Sequence, residues 1–243
     1  MDKDNIYNQL KQLLEKSGGN FNILEEQIDV DLQVEFFEMI DTLKKEEDDE
    51  SGDDFGQIEK SLNSTGTDLN EKKRTLAKLS NIENPEAFRI IERFTEQKNK
   101  DLDQWTTLAL QHCRINLESH FLDEQQVFIS TGLGGKDEKL RYFIACKIKE
   151  GKDITDAQRK MVATEFDTIF SARNSVVEKI KHSKSYFSLV GLIPIDISIN
   201  EVIKEAIDET NSYGDFIHSK FLVTNVKILQ KSEIEKYFKN LGL

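Results

Sequence analysis

QQVFISTGLGGKDEKLRYFIACKIK, residues Gln125–Lys149, decides how this chain is read. Two runs rich in valine, isoleucine, phenylalanine and tyrosine, Gln126–Thr131 and Leu140–Lys149, flank a loop holding Gly132, Gly134 and Gly135. Those side chains suit a pleated surface, and glycine supplies the backbone angles of a turn. The stretch therefore predicts a β-hairpin between two dissimilar halves. Ahead of it the sequence is helical in pattern and acidic; behind it helices alternate with strands.

The charge is divided accordingly. The net charge is −12, yet residues 1–124 carry 29 Asp and Glu against 15 Lys and Arg, whereas residues 125–243 carry 16 against 18. An acidic first half repels phosphates and disfavours nucleic acid as the main partner. Charged residues make up 32% of the chain and hydrophobic ones 37%, a balance that leaves part of it outside any core. Cys113 and Cys146 sit inside apolar patterns, which predicts reduced, buried thiols. The opening MDKDNIYNQL lacks the apolar core of a signal peptide, and no apolar run approaches membrane-spanning length, so a cytoplasmic protein with no membrane partner is expected.

Behind the hairpin, Thr155 and Gln158 form a capping-box pattern for a helix expected to reach Lys181. Its stripe is Val162, Phe166, Ile169, Phe170, Val176, Val177 and Ile180. Tyr186–Ile195 reads as a strand covered on both faces. Ser198 with Glu201, and Ser232 with Glu235, suggest caps for two further helices, with a strand at Phe221–Leu229 between them. The order is ββαβαβα, a layered α/β domain over residues 125–243 with a mixed sheet. With helices ahead of it, the whole chain is α+β or α/β in class.

Ahead of the hairpin, residues 1–45 hold two short amphipathic segments, Asn5–Lys16 and Asp31–Lys45. Residues 46–67 begin with EEDDESGDD and continue rich in Ser, Gly, Asn and Thr, which predicts an acidic flexible linker, with a docking tail as the alternative. Residues 68–124 carry three helical patterns, Leu69–Ser80, Pro85–Gln97 and Leu102–Phe121. Asp68 with Glu71 caps the first, and Asn84 with Pro85 opens the second. The stretch LAKLSNIENPEAFRIIERFTEQKNKDLDQWTTLALQHC, Leu76 to Cys113, resembles a HEAT-type helical repeat. The resemblance lies in the Asn84-Pro85-Glu86-Ala87 turn, a helix with Ile90, Ile91 and Phe94, and Trp105 followed by Leu108, Ala109 and Leu110. It covers one repeat and implies a binding scaffold. A lone unit cannot bury both faces, so further core must come from elsewhere.

The loop from Thr131 through Gly132, Gly134 and Gly135 to Lys136 invites comparison with a phosphate cradle. Such a cradle needs a helix N-terminus after it, and here Leu140 restarts a strand. A partner-contacting hairpin tip and a plain glycine turn remain. On Leu140–Lys149, alternation places Arg141, Phe143, Ala145, Lys147 and Lys149 on one face, a basic and aromatic set suited either to RNA or to an edge strand guarded by lysines. No nucleophile elbow, HExxH, GxGxxG or recognised metal-ligand spacing appears, so no cofactor or metal is expected. The leading expectation is a non-enzymatic protein-binding or regulatory adaptor. The alternatives are a nucleic-acid or ribosome-associated protein using Arg141, Lys147 and Lys149, and an enzyme with its site near the glycine loop.

Overall fold

The computed structural model describes residues 21–46, 54–122, 126–149 and 154–243. The segment Asn5–Lys16 and the charged run 47–53 lie outside them. The chain divides into two compact units, one centred on residues 28–129 and the other on residues 130–243 together with 23–27. No helix among the described residues is long and apolar enough to cross a membrane.

The first unit is helical. A short strand β1, Phe21–Ile23, is paired with β2, Val127–Ile129. Between them come α1 (Val30–Glu46), α2 (Phe55–Asn63), α3 (Leu69–Ser80), α4 (Pro85–Thr95) and α5 (Asp103–Leu122). The Asp68 carboxylate accepts from the backbone of Asn70 and Glu71, and Asn84 accepts from Glu86 with Pro85 in the first turn. These are the expected caps, and they satisfy N–H groups that have no partner inside a helix. α5 packs on α3 and α4, α1 on α3 and α5, and α2 on α4. Phe36, Leu76, Ile91, Trp105 and Leu108 are buried in this unit. The expected linker is corrected over Phe55–Asn63. Asp54 caps a real helix there, and Leu62 is buried, so one apolar stripe outweighed the polar composition.

The second unit is built on a sheet of β3 (Gly135–Lys136), β4 (Lys139–Ile148), β5 (Val176–His182), β6 (Tyr186–Pro194) and β7 (Ile217–Thr224). α6 (Asp156–Ala172) lies between β4 and β5, α7 (Ile199–Ser212) between β6 and β7, and α8 (Lys231–Asn240) closes the chain. The four long strands run β7-β4-β6-β5, every neighbouring pair antiparallel, so the sheet is not mixed. The β4-α6-β5-β6-α7-β7 order is the split βαβ arrangement, two interleaved strand–helix–strand halves. α6 and α7 cover one face, where Ile144, Cys146, Phe187 and Leu189 meet Phe166, Phe170, Val202 and Ile207. α8 lies on the other, with Ile234 and Phe238 against Phe143, Ala145, Tyr186 and Leu222.

Several expectations in this unit change. The hairpin at the centre of the sequence reading does not form between its two runs. Val127–Ile129 pairs with β1, and only Gly135–Lys136 turns back onto β4. The helix expected to reach Lys181 stops at Ala172, because Asn174 takes a φ of 50° and the Ser175 N–H returns to the Phe170 carbonyl. Val176, Val177 and Ile180 then belong to β5, although their spacing continues the helical stripe. The last strand lies at Ile217–Thr224 rather than Phe221–Leu229, and the last helix is capped by Gln230 with Glu233 rather than Ser232 with Glu235. Ser198 stands at the start of α7 but makes no side-chain cap bond.

Candidate nucleic-acid interface

The register of β5 on β6 sets the chemistry of the open part of the sheet. Lys179 stands opposite Val190 and Lys181 opposite Ser188, while Ile180 stands opposite Leu189. Leu189 faces α6 and α7, and Val190 packs with the α8 cluster, so Lys179 and Lys181 project on the α8 face. α8 contacts β4, β6 and β7 through Phe143, Ala145, Tyr186 and Leu222. Beside it remains a groove of about 390 Å³ whose lining includes Lys179, Lys181, Ser188, Lys231 and Ile234.

This groove is basic. No Asp or Glu occurs from Lys179 to Ile195, while Lys179, Lys181 and Lys184 fall within that span. Lys179 and Lys181 are exposed, and neither forms an ion pair among the described residues. Among the described residues, Lys231 has only the exposed Glu235 carboxylate, 3.7 Å away along its own helix, a pairing worth little in water. His182 borders the groove with its ring 6.0 Å from that of Phe187. Burial, and then the charge of Arg159, hold its pKa below the ordinary histidine value. The lysines therefore carry the positive charge here at neutral pH.

The residues singled out from sequence are dispersed. Arg141 is held by Glu178, with contacts of 2.7 and 3.1 Å, and donates to the carbonyls of Leu133 and Glu25. Lys147 is half-buried beside α8, its ammonium 5.9 Å from the Phe238 ring centre, and Lys149 pairs with Asp215. The face of β4 carrying Phe143 and Ala145 is therefore neither an open stacking platform nor an edge: α8 covers it, and β4 lies between β6 and β7. In the glycine loop, a Cβ on Gly132 would fall 1.8 Å from the Val226 carbonyl oxygen. Gly134, at φ 66°, lies against the carbonyls of Glu25 and Glu26, and Gly135 against that of Lys139. Thr131 Oγ1 bonds to the Gly134 carbonyl at 3.2 Å, and Lys136 is exposed. These glycines are where backbones approach closely. Among the described residues no group of three His, Cys, Asp or Glu side chains is placed to hold a metal.

Sequence reasoning missed Lys179, Lys181, His182 and Lys231. The available signal was the acid-free run KIKHSK, Lys179–Lys184, disguised by assigning its first half to a helix.

No family model matches the chain, and no curated protein matches it. Solved structures similar to it include a candidate transposase of Deinococcus radiodurans, at 14% identity and a TM-score of 0.37, covering 42% of this chain and 90% of that one. Another is a REP-associated tyrosine transposase bound to a REP hairpin, at 8% identity and a TM-score of 0.32, covering 41% of this chain and 61% of that one. No family model supports the HEAT-type resemblance. Where the sequence led to a protein-binding adaptor with a protein partner and nucleic acid disfavoured, both of these neighbours are instead named as transposases, one of them bound to a REP hairpin.

Proposed function

We propose that this protein binds nucleic acid through the groove between β5, β6 and the start of α8. The observation that carries the reading is the pair of exposed, unpaired lysines, Lys179 and Lys181, facing the same groove as Lys231. The reading rests on that groove rather than on the structural neighbours. Excluding nucleic acid on net charge fails because phosphates respond to local potential, and the acids of this chain lie mainly in residues 1–124. Arg141 is occupied by Glu178, so the lysines of β5 take the role that sequence reasoning gave to the β4 face.

Three lysine–phosphate contacts give a slope of log affinity against log salt near −2 on a single strand, about 0.7 per contact. Affinity of the full chain for a fluorescent DNA oligonucleotide should then fall roughly 20-fold between about 50 and 200 mM salt. A DNA hairpin serves as the second probe. The double variant Lys179→Gln, Lys181→Gln should lose most binding while its unfolding midpoint stays put, since both side chains are exposed. Absence of binding at low salt to either probe would remove the proposal.

A further inference from the structure

Resting on that reading, we propose that the ligand is a single strand, and that it continues from the groove across the end of the sheet to a second cationic site on β4 and β7. The continuity comes from the strand register. β5 ends, β6 begins, β4 ends and β7 begins at one end of the sheet, with Lys147 opposite Tyr186 and Ile148 opposite Ile217. The β5–β6 turn joins this end directly, because the Ile148 N–H donates to the Ser185 carbonyl. Lys184 is exposed on that turn.

Beyond it lies a cavity of about 230 Å³ lined by Lys147, Lys149 and His218. Ala145 opposite Leu222 fixes the α8 face of β4, and alternation places Lys147 on it with Lys179 and Lys181. The β4–β7 register shifts between Cys146 and Ile148, and His218 and the exposed Lys220 belong to that irregular stretch of β7, His218 lining the cavity beside Lys147. The His218 pKa is lowered, by burial first and then by Lys220, Lys149 and Lys147, which places three cations within electrostatic reach of one ring. Asp215 is ion-paired with Lys149, leaving Lys147 and Lys220 to face a ligand.

The path selects the ligand. It runs along β5 and then turns across three strand spacings, about 14 Å. Duplex DNA is stiff over about 150 base pairs and cannot follow such a turn, whereas a single strand can. An acidic peptide offers charge too, but the cations stand in two groups along a bent path rather than gathered for one carboxylate cluster.

The test uses the full chain and single-stranded DNA of increasing length, with salt slopes measured at each length. Long strands should give a slope steeper than the shortest strand that binds, by about 1.4 for two added contacts at 0.7 each. Lys147→Gln with Lys220→Gln should remove that increment and leave the shortest strand unaffected. Because Lys147 touches Phe238, Lys220→Gln alone is measured as well, with an expected loss of about 0.7. Unchanged slopes in both variants on long strands overturn the extension while leaving the groove standing. Loss of all binding in the unaltered chain would instead sink the groove. Equal binding of duplex of the same length, or displacement by polyglutamate at equal charge, would overturn the choice of ligand.

Discussion

Trp105 is 1% exposed. Its ring stands edge-on to Phe36 with centroids 5.2 Å apart, and its Nε1–H donates to the Lys73 carbonyl at 2.9 Å. The Lys73 ammonium sits 4.6 Å from the ring centre while also reaching Glu35 at 2.8 Å. Burial of this side chain was what the HEAT-type resemblance implied; the bond to Lys73 was not legible, because it joins residues 32 apart. Trp105→Ala should cost about 3–5 kcal/mol, the range for truncating a large core aromatic. Denaturant unfolding measures it, and a cost below about 1 kcal/mol would contradict the packing described. Nearby, His112 is half-buried among Phe36, Phe37 and Ser80, and desolvation followed by the charge of Lys44 lowers its pKa to about 4. An unfolded histidine titrates near 6.5, so the unfolded chain binds the extra proton first. His112 therefore adds stability above about pH 6.5, and that stability drains away as pH falls toward 4, by up to about 3 kcal/mol. The difference in stability between pH 7 and pH 4.5 should shrink in His112→Gln; an unchanged difference would show that this ring is not the group responsible.

Among the elements, the helix starts at Asp68, Asn84 and Thr155 and the strands β4 and β6 were legible, whereas β5 was not. Thr155 and Gln158 exchange both bonds of the capping box, and the start of α6 was placed to the residue. Its end was missed because Val176, Val177 and Ile180 fit either period, and only Asn174 in a left-handed conformation separates helix from strand. The candidate groove was lost with it, since Lys179 and Lys181 share a face only once β5 is a strand in register with β6. The same packing depends on Gly191 of β6. A Cβ there would lie 2.7 Å from the Phe170 ring and 3.1 Å from the Val176 carbonyl oxygen. The Phe170 ring is fully buried and has little room to retreat. Gly191→Ala should therefore destabilise by about 1–3 kcal/mol, the usual cost of overpacking. A thermal melt within error of the unaltered protein would mean that α6 can shift away from the sheet freely.

At the scale of the whole molecule, the division into an acidic and a mildly basic half was legible, but net charge alone does not choose the partner. Net charge acts at long range on the approach of a ligand, whereas contact depends on cations within a few ångströms. These two effects separate experimentally, because salt screens the first over about 10 Å at 0.1 M. The run Glu47-Asp48-Asp49-Glu50 offers a clean lever, since it carries four of the acids and lies far in sequence from Lys179 and Lys181. Replacing these four by Gln and Asn changes the net charge from −12 to −8 without touching any lysine of the groove. Association with single-stranded DNA should then accelerate at low salt, and the gain should fade as salt rises through about 0.15 M. Dissociation should hardly change, because the contacts that hold the strand are the same. Stopped-flow measurement resolves the two rates. An effect confined to dissociation would mean that the acidic run competes for the lysines directly, in place of acting through long-range repulsion.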